Sequence, residues 1–276
     1  MGVPYAEVIG DPIAQSKSPL IHRHWLQALG LAGDYRAVRV PSAGLGDYLA
    51  ERRRDPNWRG CNVTLPHKES VLSFLDHLDP DAQAIGAVNC VAPGPQGLMG
   101  RNTDIDGIAA ALDGAPVKSR KAVVIGAGGG ARAALHYLRE GEAARIAVLV
   151  REPGKAAHFA DQDGGARVEI HHLDACDEAL AGASIIINAS PLGMAGSPVM
   201  PASLLESVAA YARGATLLDM VYKPVRTAFL EVGEANGGIA VDGLAMLVGQ
   251  ARAAFELFFG RPPPAPDRAL RDLIAS

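Results

Sequence analysis

Cysteine is scarce in this chain of 276 residues: Cys61, Cys90 and Cys176 are widely spaced and form no C-x-x-C pair. An odd, scattered set of three argues against a disulfide framework and against a thiolate zinc site, and reads as reduced thiols in a cytoplasmic protein. An excess of one charge is also missing, with 26 Lys and Arg against 30 Asp and Glu. That balance provides no electrostatic footprint for nucleic acid or an anionic membrane, so a small molecule is the expected partner. No segment reaches the roughly 18 uninterrupted apolar residues that a membrane helix needs. The stretch Met1 to Gly10, interrupted by Glu7, lacks the basic and long apolar regions of a signal peptide. No G-x-S-x-G is present, which speaks against a serine hydrolase. His22 and His24 point to different helix faces and His171-His172 have no ligand pattern nearby, so no catalytic metal is expected.

What the chain does contain is apolar material, 49% of its residues, enough for two cores and so for two domains. The first hundred residues alternate strands and helices: YAEVIG, a helix opened by a capping Ser18 and Pro19, a strand through Val38 and Val40, then CNVTL up to Pro66. Val71, Leu72, Leu75 and Leu78 recur at helical spacing and predict a helix after Pro66. AVNCVA, the turn PGPQG and LMG read as a hairpin leading into Asn102-Thr103-Asp104 and a further helix.

From Lys121 the rhythm changes to runs fit for burial on both faces: AVVIG, RIAVLV, RVEI, SIIIN and ATLLD. Spaced by helices, they predict a parallel doubly wound sheet. The long apolar helix after Asp242 is expected to return to the first domain. The expected division is therefore an α/β substrate-binding domain from residues 1–106 and 242–276, and a Rossmann domain from 107–241, linked near Ile105 to Leu112.

Gly126-Ala127-Gly128-Gly129-Gly130-Ala131 follows the strand KAVVI and precedes the helix ARAALHYL, giving G-x-G-x-x-A in the setting that makes the motif specific. Small residues here let backbone amides and a helix N-terminus lie against a pyrophosphate. At the end of the next strand, Arg151 and Lys155 are candidates to pair a 2′-phosphate, so NADP is the favoured coenzyme, while Glu152 keeps NAD open. In the first half, Gln15-Ser16-Lys17-Ser18, Asn62 to Lys68 and Asn102-Thr103-Asp104 gather hydroxyls, amides, an amine and a carboxylate, the groups that hold a polyhydroxylated acid.

Together with Gly86-Ala87-Val88-Asn89, Asn188-Ala189-Ser190, Asp219-Met220-Val221-Tyr222 and Asp242-Gly243-Leu244 through Gln250, these segments make the chain resemble the shikimate/quinate dehydrogenase family almost end to end. The resemblance implies NADPH-dependent, reversible reduction of 3-dehydroshikimate to shikimate on the route to aromatic amino acids. It implies that Ser16 and Ser18 bind the substrate carboxylate with Thr64 and Tyr222 beside it, and that Asn89, Asp104 and Gln250 hold ring hydroxyls. Lys68 is the implied proton-transferring residue, paired with Asp104. Gly126, Ala127, Gly128, Gly129, Gly130, the Arg151 region, Met220, Gly243 and, more weakly, Asp81 are implied around the cofactor. Val150 and Glu152 stand where the family's NADP pattern has Asn and Thr, so only Arg151 of that triplet is kept. An NAD-dependent quinate/shikimate dehydrogenase, a binding module without turnover, and a monomeric or homodimeric state all stay open.

Overall fold

The structure is a computed structural model that describes residues 2–160 and 166–275. The chain divides into two compact units, Met1–Asp106 with Val248–Ser276, and Gly107–Leu247.

The first unit is built on strands β1 (Tyr5–Gly10), β2 (Asp34–Arg39), β3 (Trp58–Val63), β4 (His77–Leu78), β5 (Cys90–Gly94) and β6 (Gly97–Arg101). Its helices are α1 (Ser18–Ala28), α2 (Leu45–Arg52), α3 (His67–Ser70) and α4 (Pro80–Ile85), and α5 (Asp104–Ala111) starts at its end. The sheet order is β2-β1-β3-β5-β6-β4. β1 is flanked by parallel partners, whereas β3–β5 and β5–β6 are antiparallel. All six residues of β1 are buried, including Glu7, whose carboxylate accepts from Tyr48 Oη (2.6 Å) and Arg52 Nε (2.8 Å). An acid at the centre of a sheet is tolerable only with such partners. One core lies under Ile9, Leu45, Trp58 and Val63, and the other around Val8, Tyr35, Ala254 and Phe258.

Two local expectations fail here. The spacing of Val71 to Leu78 predicts a continuous helix, yet α3 stops at Ser70, a 3-10 turn covers Val71–Phe74, and Leu75 is extended. Pairing of His77 and Leu78 with β6 captures the chain at the sheet edge, helped by the Leu98 N–H donating to Asp76 Oδ2 (2.6 Å). The apolar side chains still reach the core, but from a different backbone, because tertiary pairing overrides a short periodic signal. Ser18 is likewise no cap: Lys17 holds that position with no side-chain bond, and Ser18 is buried as the first residue of α1.

The second unit contains β7 (Lys121–Ile125), α6 (Gly129–Glu140), β8 (Arg145–Val150), α7 (Pro153–Ala156), β9 (Arg167–His172), α8 (Cys176–Leu180), β10 (Ala183–Asn188), α9 (Ala202–Tyr211), β11 (Thr216–Asp219), α10 (Ala228–Ala235) and β12 (Ile239–Val241). α11 (Gly243–Phe259) carries the chain back to the first unit, which ends with α12 (Arg268–Ala275). Every pairing is parallel, in the order β12-β11-β10-β7-β8-β9. This is the order of the doubly wound dinucleotide-binding fold that the apolar runs predict, with β12 as a strand they do not reveal. Val123, Ile125, Leu149, Ile186 and Leu217 belong to its buried core.

Candidate active site

In the first unit a web of hydrogen bonds converges on one ion pair. Lys68, in the short helix α3, places Nζ 2.5 Å from Asp104 Oδ2, with side chains 18% and 8% exposed. Asp104 is the first residue of α5, where a helix N-terminus favours a carboxylate. Its other oxygen accepts from Asn89 Nδ2 (2.8 Å), and its N–H donates to Asn102 Oδ1 (3.1 Å). Asn89 Oδ1 in turn accepts from the N–H of Thr103 (2.7 Å). Asn89, Asn102, Thr103 and Asp104 are all buried, so these bonds satisfy groups that water cannot reach.

The web extends away from the ion pair. Asn62 Nδ2 donates to the carbonyl of Asn89 (3.2 Å), and Asn62 Oδ1 accepts from Tyr35 Oη (2.6 Å). Burial keeps the proton of the Tyr35 phenol firmly on. Ser18 N–H donates to Ser16 Oγ (3.3 Å). Tyr35 is therefore connected through Asn62 and Asn89 to Asp104 and Lys68. Tyr35 carries no signal in the sequence, since it sits in an ordinary strand 27 residues from its partner Asn62. Thr64 directly follows β3, with its N–H on the Ile9 carbonyl (3.0 Å), and is half-buried. Gln250 is buried in the part of α11 that belongs to this unit. Asp81 is exposed in the first turn of α4 and helps raise the Asp106 carboxyl, whose main cause is burial.

In the second unit the glycine loop joins β7 to α6 at the switch point of the sheet, where β10 lies on one side and β8 on the other. Gly126 has φ +115°, and a Cβ there would lie 3.0 Å from the carbonyl oxygen of Ala189. Gly128 caps α6 in an extended conformation with open space where a Cβ would stand, while a Cβ on Gly130 would meet Met220 Sδ at 3.0 Å. Open space at Gly128 beside the amides of Ala127, Gly128 and Gly129 fits a pyrophosphate. Gly243 has another reason to be glycine: a Cβ would lie 2.6 Å from the Val221 carbonyl oxygen, so α11 can start only by close backbone contact with this loop. Arg151 and Lys155 are exposed after β8, and Lys155 is paired with Glu152. Tyr222 is half-buried in this unit, and burial raises its phenol. Among the described residues no group of three or more His, Cys, Asp or Glu is placed to hold a metal ion, and no helix is long and apolar enough to cross a membrane.

Asp219, at the end of β11, is a hub the sequence does not single out by role. Its carboxylate accepts from Thr227 Oγ1 (2.6 Å), Asn188 Nδ2 (2.9 Å) and the N–H of Val221 (3.0 Å), tying together the loops after β10 and β11. Burial pushes its carboxyl up to about 6 despite those three donors. A raised value means that the folded protein prefers the protonated form. That contribution to stability is complete below about pH 4 and is lost as the pH rises through about 6, a loss of about 3 kcal/mol. Asp219→Asn removes the titration and keeps an acceptor. Its stability relative to the parent, followed by chemical denaturation from pH 4 to pH 7, is expected to improve between about pH 4 and pH 6 and to level off above. A flat difference would show that burial does not govern this carboxyl.

Three family models cover most of the chain: the shikimate dehydrogenase substrate binding domain over residues 8–91, shikimate / quinate 5-dehydrogenase over 109–221, and the shikimate 5'-dehydrogenase C-terminal domain over 243–267. A shikimate dehydrogenase (NADP(+)) of Sphingopyxis alaskensis is 46% identical over 99% of this chain and 97% of that protein. The crystal structure of a Thermus thermophilus shikimate 5-dehydrogenase in complex with NADP(H) and shikimate matches with a TM-score of 0.83 at 36% identity, covering 99% of this chain and 98% of that one. A 5-ketofructose reductase of Gluconobacter shares the fold as well, with a TM-score of 0.85 at 29% identity over 99% of this chain and 98% of its own.

Proposed function

From the premise that the chain belongs to the shikimate/quinate dehydrogenase family, we propose that it catalyses the reversible, NADPH-dependent reduction of 3-dehydroshikimate to shikimate. The observation that carries the catalytic reading is the 2.5 Å contact between Lys68 and Asp104, held in a buried amide web. Reduced nicotinamide, when bound, supplies the hydride to the carbonyl carbon. Lys68 delivers a proton from Nζ to the oxygen that becomes the alcohol, and takes it back in the reverse direction. Asp104 orients that ammonium and, with Asn89 and Gln250, accepts from or donates to ring hydroxyls. Ser16, Ser18 and Thr64 present hydroxyl donors to the substrate carboxylate, with Tyr222 as a further donor.

Gly126 to Gly130 receive the pyrophosphate, Met220 and Gly243 shape the nicotinamide end, and Arg151 with Lys155 meets the adenosine 2′-phosphate. Asp81, exposed in the first turn of α4, has the weakest claim. The enzyme works in the cytoplasm as a monomer or homodimer, a placement supported by three free, buried thiols.

Coupled absorbance assays with 3-dehydroshikimate and 3-dehydroquinate, each with NADPH and NADH, test the reading. The highest kcat/KM is expected for 3-dehydroshikimate with NADPH. Faster turnover of the quinate pair with NADH would make the chain a quinate dehydrogenase instead, and shikimate binding without any turnover would make it a binding module.

A further inference from the structure

The end of β8 carries a group that a 2′-phosphate site does not need. Arg151 follows the strand directly, and the next residue is the carboxylate Glu152. Its oxygens lie 2.9 and 2.8 Å from Lys155 Nζ, so one carboxylate grips the ammonium with both atoms. The backbone favours this grip, because the N–H of Lys155 donates to the Glu152 carbonyl (3.1 Å) across the turn that starts α7. Lys155 and, more weakly, Arg151 hold the Glu152 carboxyl below its usual range, so it is fully anionic at neutral pH. Three side chains at the strand end therefore present a net charge of one, not two, to an incoming phosphate.

We propose that Glu152 is a specificity-determining residue that competes with the coenzyme's 2′-phosphate for Lys155 and so narrows the preference for NADP over NAD. The proposal rests on the reading of the second unit as a dinucleotide site. When a 2′-phosphate binds, Lys155 must leave Glu152 or share itself between two anions, and Glu152 opposes the phosphate directly. NAD, which has hydroxyls at that position, meets neither obstacle. Both side chains are well exposed, 63% and 76%, so the competition takes place in water and its scale is that of an exposed ion pair.

The test is isothermal titration calorimetry of the full chain with NADP+, NAD+, 2′,5′-ADP and 5′-AMP, using Glu152→Gln, Lys155→Ala and the double variant. Glu152→Gln is expected to tighten NADP+ and 2′,5′-ADP by roughly fivefold, the upper range for an exposed pair, and to leave NAD+ and 5′-AMP unchanged. In the Lys155→Ala background most of that gain is expected to vanish. A gain that persists undiminished without Lys155 would overturn competition, leaving only repulsion. Weaker NAD+ binding by Glu152→Gln would overturn the proposal as well, since the carboxylate would then be a ribose ligand. Unchanged affinity for both phosphorylated ligands would do the same. If no variant, nor the parent, bound any of the four ligands, the dinucleotide reading itself would fall.

Discussion

Replacing Lys68 with alanine is expected to lower turnover by about two orders of magnitude or more while shikimate affinity stays within a few-fold. The asymmetry follows from what the ammonium does. A ketone reduced by hydride leaves its oxygen in need of a proton, and a positioned acid removes the cost of forming a free alkoxide. Ground-state binding, on the proposed reading, is spread over Ser16, Ser18, Thr64, Asn89 and Gln250, and loses one contact among many. The change also leaves Asp104, only 8% exposed, without its cation. Lys68→Met, which keeps the length of the side chain, and circular dichroism of both variants separate lost chemistry from lost structure. Calorimetry with shikimate and steady-state rates with 3-dehydroshikimate supply the two halves of the comparison. Undiminished turnover would remove Lys68 from the mechanism, and equal losses in affinity and rate would recast it as a binding residue.

How far such a site can be read from sequence depends on the distance over which each signal acts. The glycine loop is legible because strand, loop and helix are consecutive in the chain, and Gly126 answers a local need with its φ of +115°. The apolar runs of β7, β8, β10 and β11 are legible for the same reason, since burial on both faces leaves little room for polar interruptions, whereas β9 is a half-buried edge strand that carries Glu169. β12 is three residues long and only partly buried, too short to carry a pattern.

In the first unit the signals act at longer range. Val71 to Leu78 look helical until β6 offers His77 and Leu78 an edge to pair with. Ser18 looks like a cap until Lys17 is found in that position, and no pattern links Tyr35 to Asn62 or Asn62 to the carbonyl of Asn89. Gly243 is a different case: the sequence marks the residue but not its reason, because the backbone it approaches, Val221, is brought there by the fold. Residue types announce possible chemistry, whereas only the sheet register decides which of them share a hydrogen bond.

Asp104→Asn separates the charge of this residue from its shape, and both KM and turnover are expected to suffer, the latter by roughly one to two orders of magnitude. In the parent, Oδ2 receives Lys68 and Oδ1 receives Asn89 Nδ2, two donors on two acceptors. An amide keeps only one acceptor, so a donor is left facing either the ammonium or the Asn89 amide. In the first case Lys68 loses its anchor. In the second the Asn89 side chain must turn, and with it the bond it accepts from the N–H of Thr103 (2.7 Å). Either outcome disturbs a group that, on the proposed reading, handles substrate hydroxyls as well as the proton donor, which is why binding and rate are expected to fall together.

The decisive comparison is the Lys68→Ala/Asp104→Asn double variant, measured for kcat and KM beside the two single changes. Residues that act as one unit lose their joint function once, so the double variant is expected to turn over no more slowly than the worse single one. Losses in kcat that multiply would mean that the carboxylate and the ammonium serve catalysis independently, and that their 2.5 Å contact is a feature of folding alone.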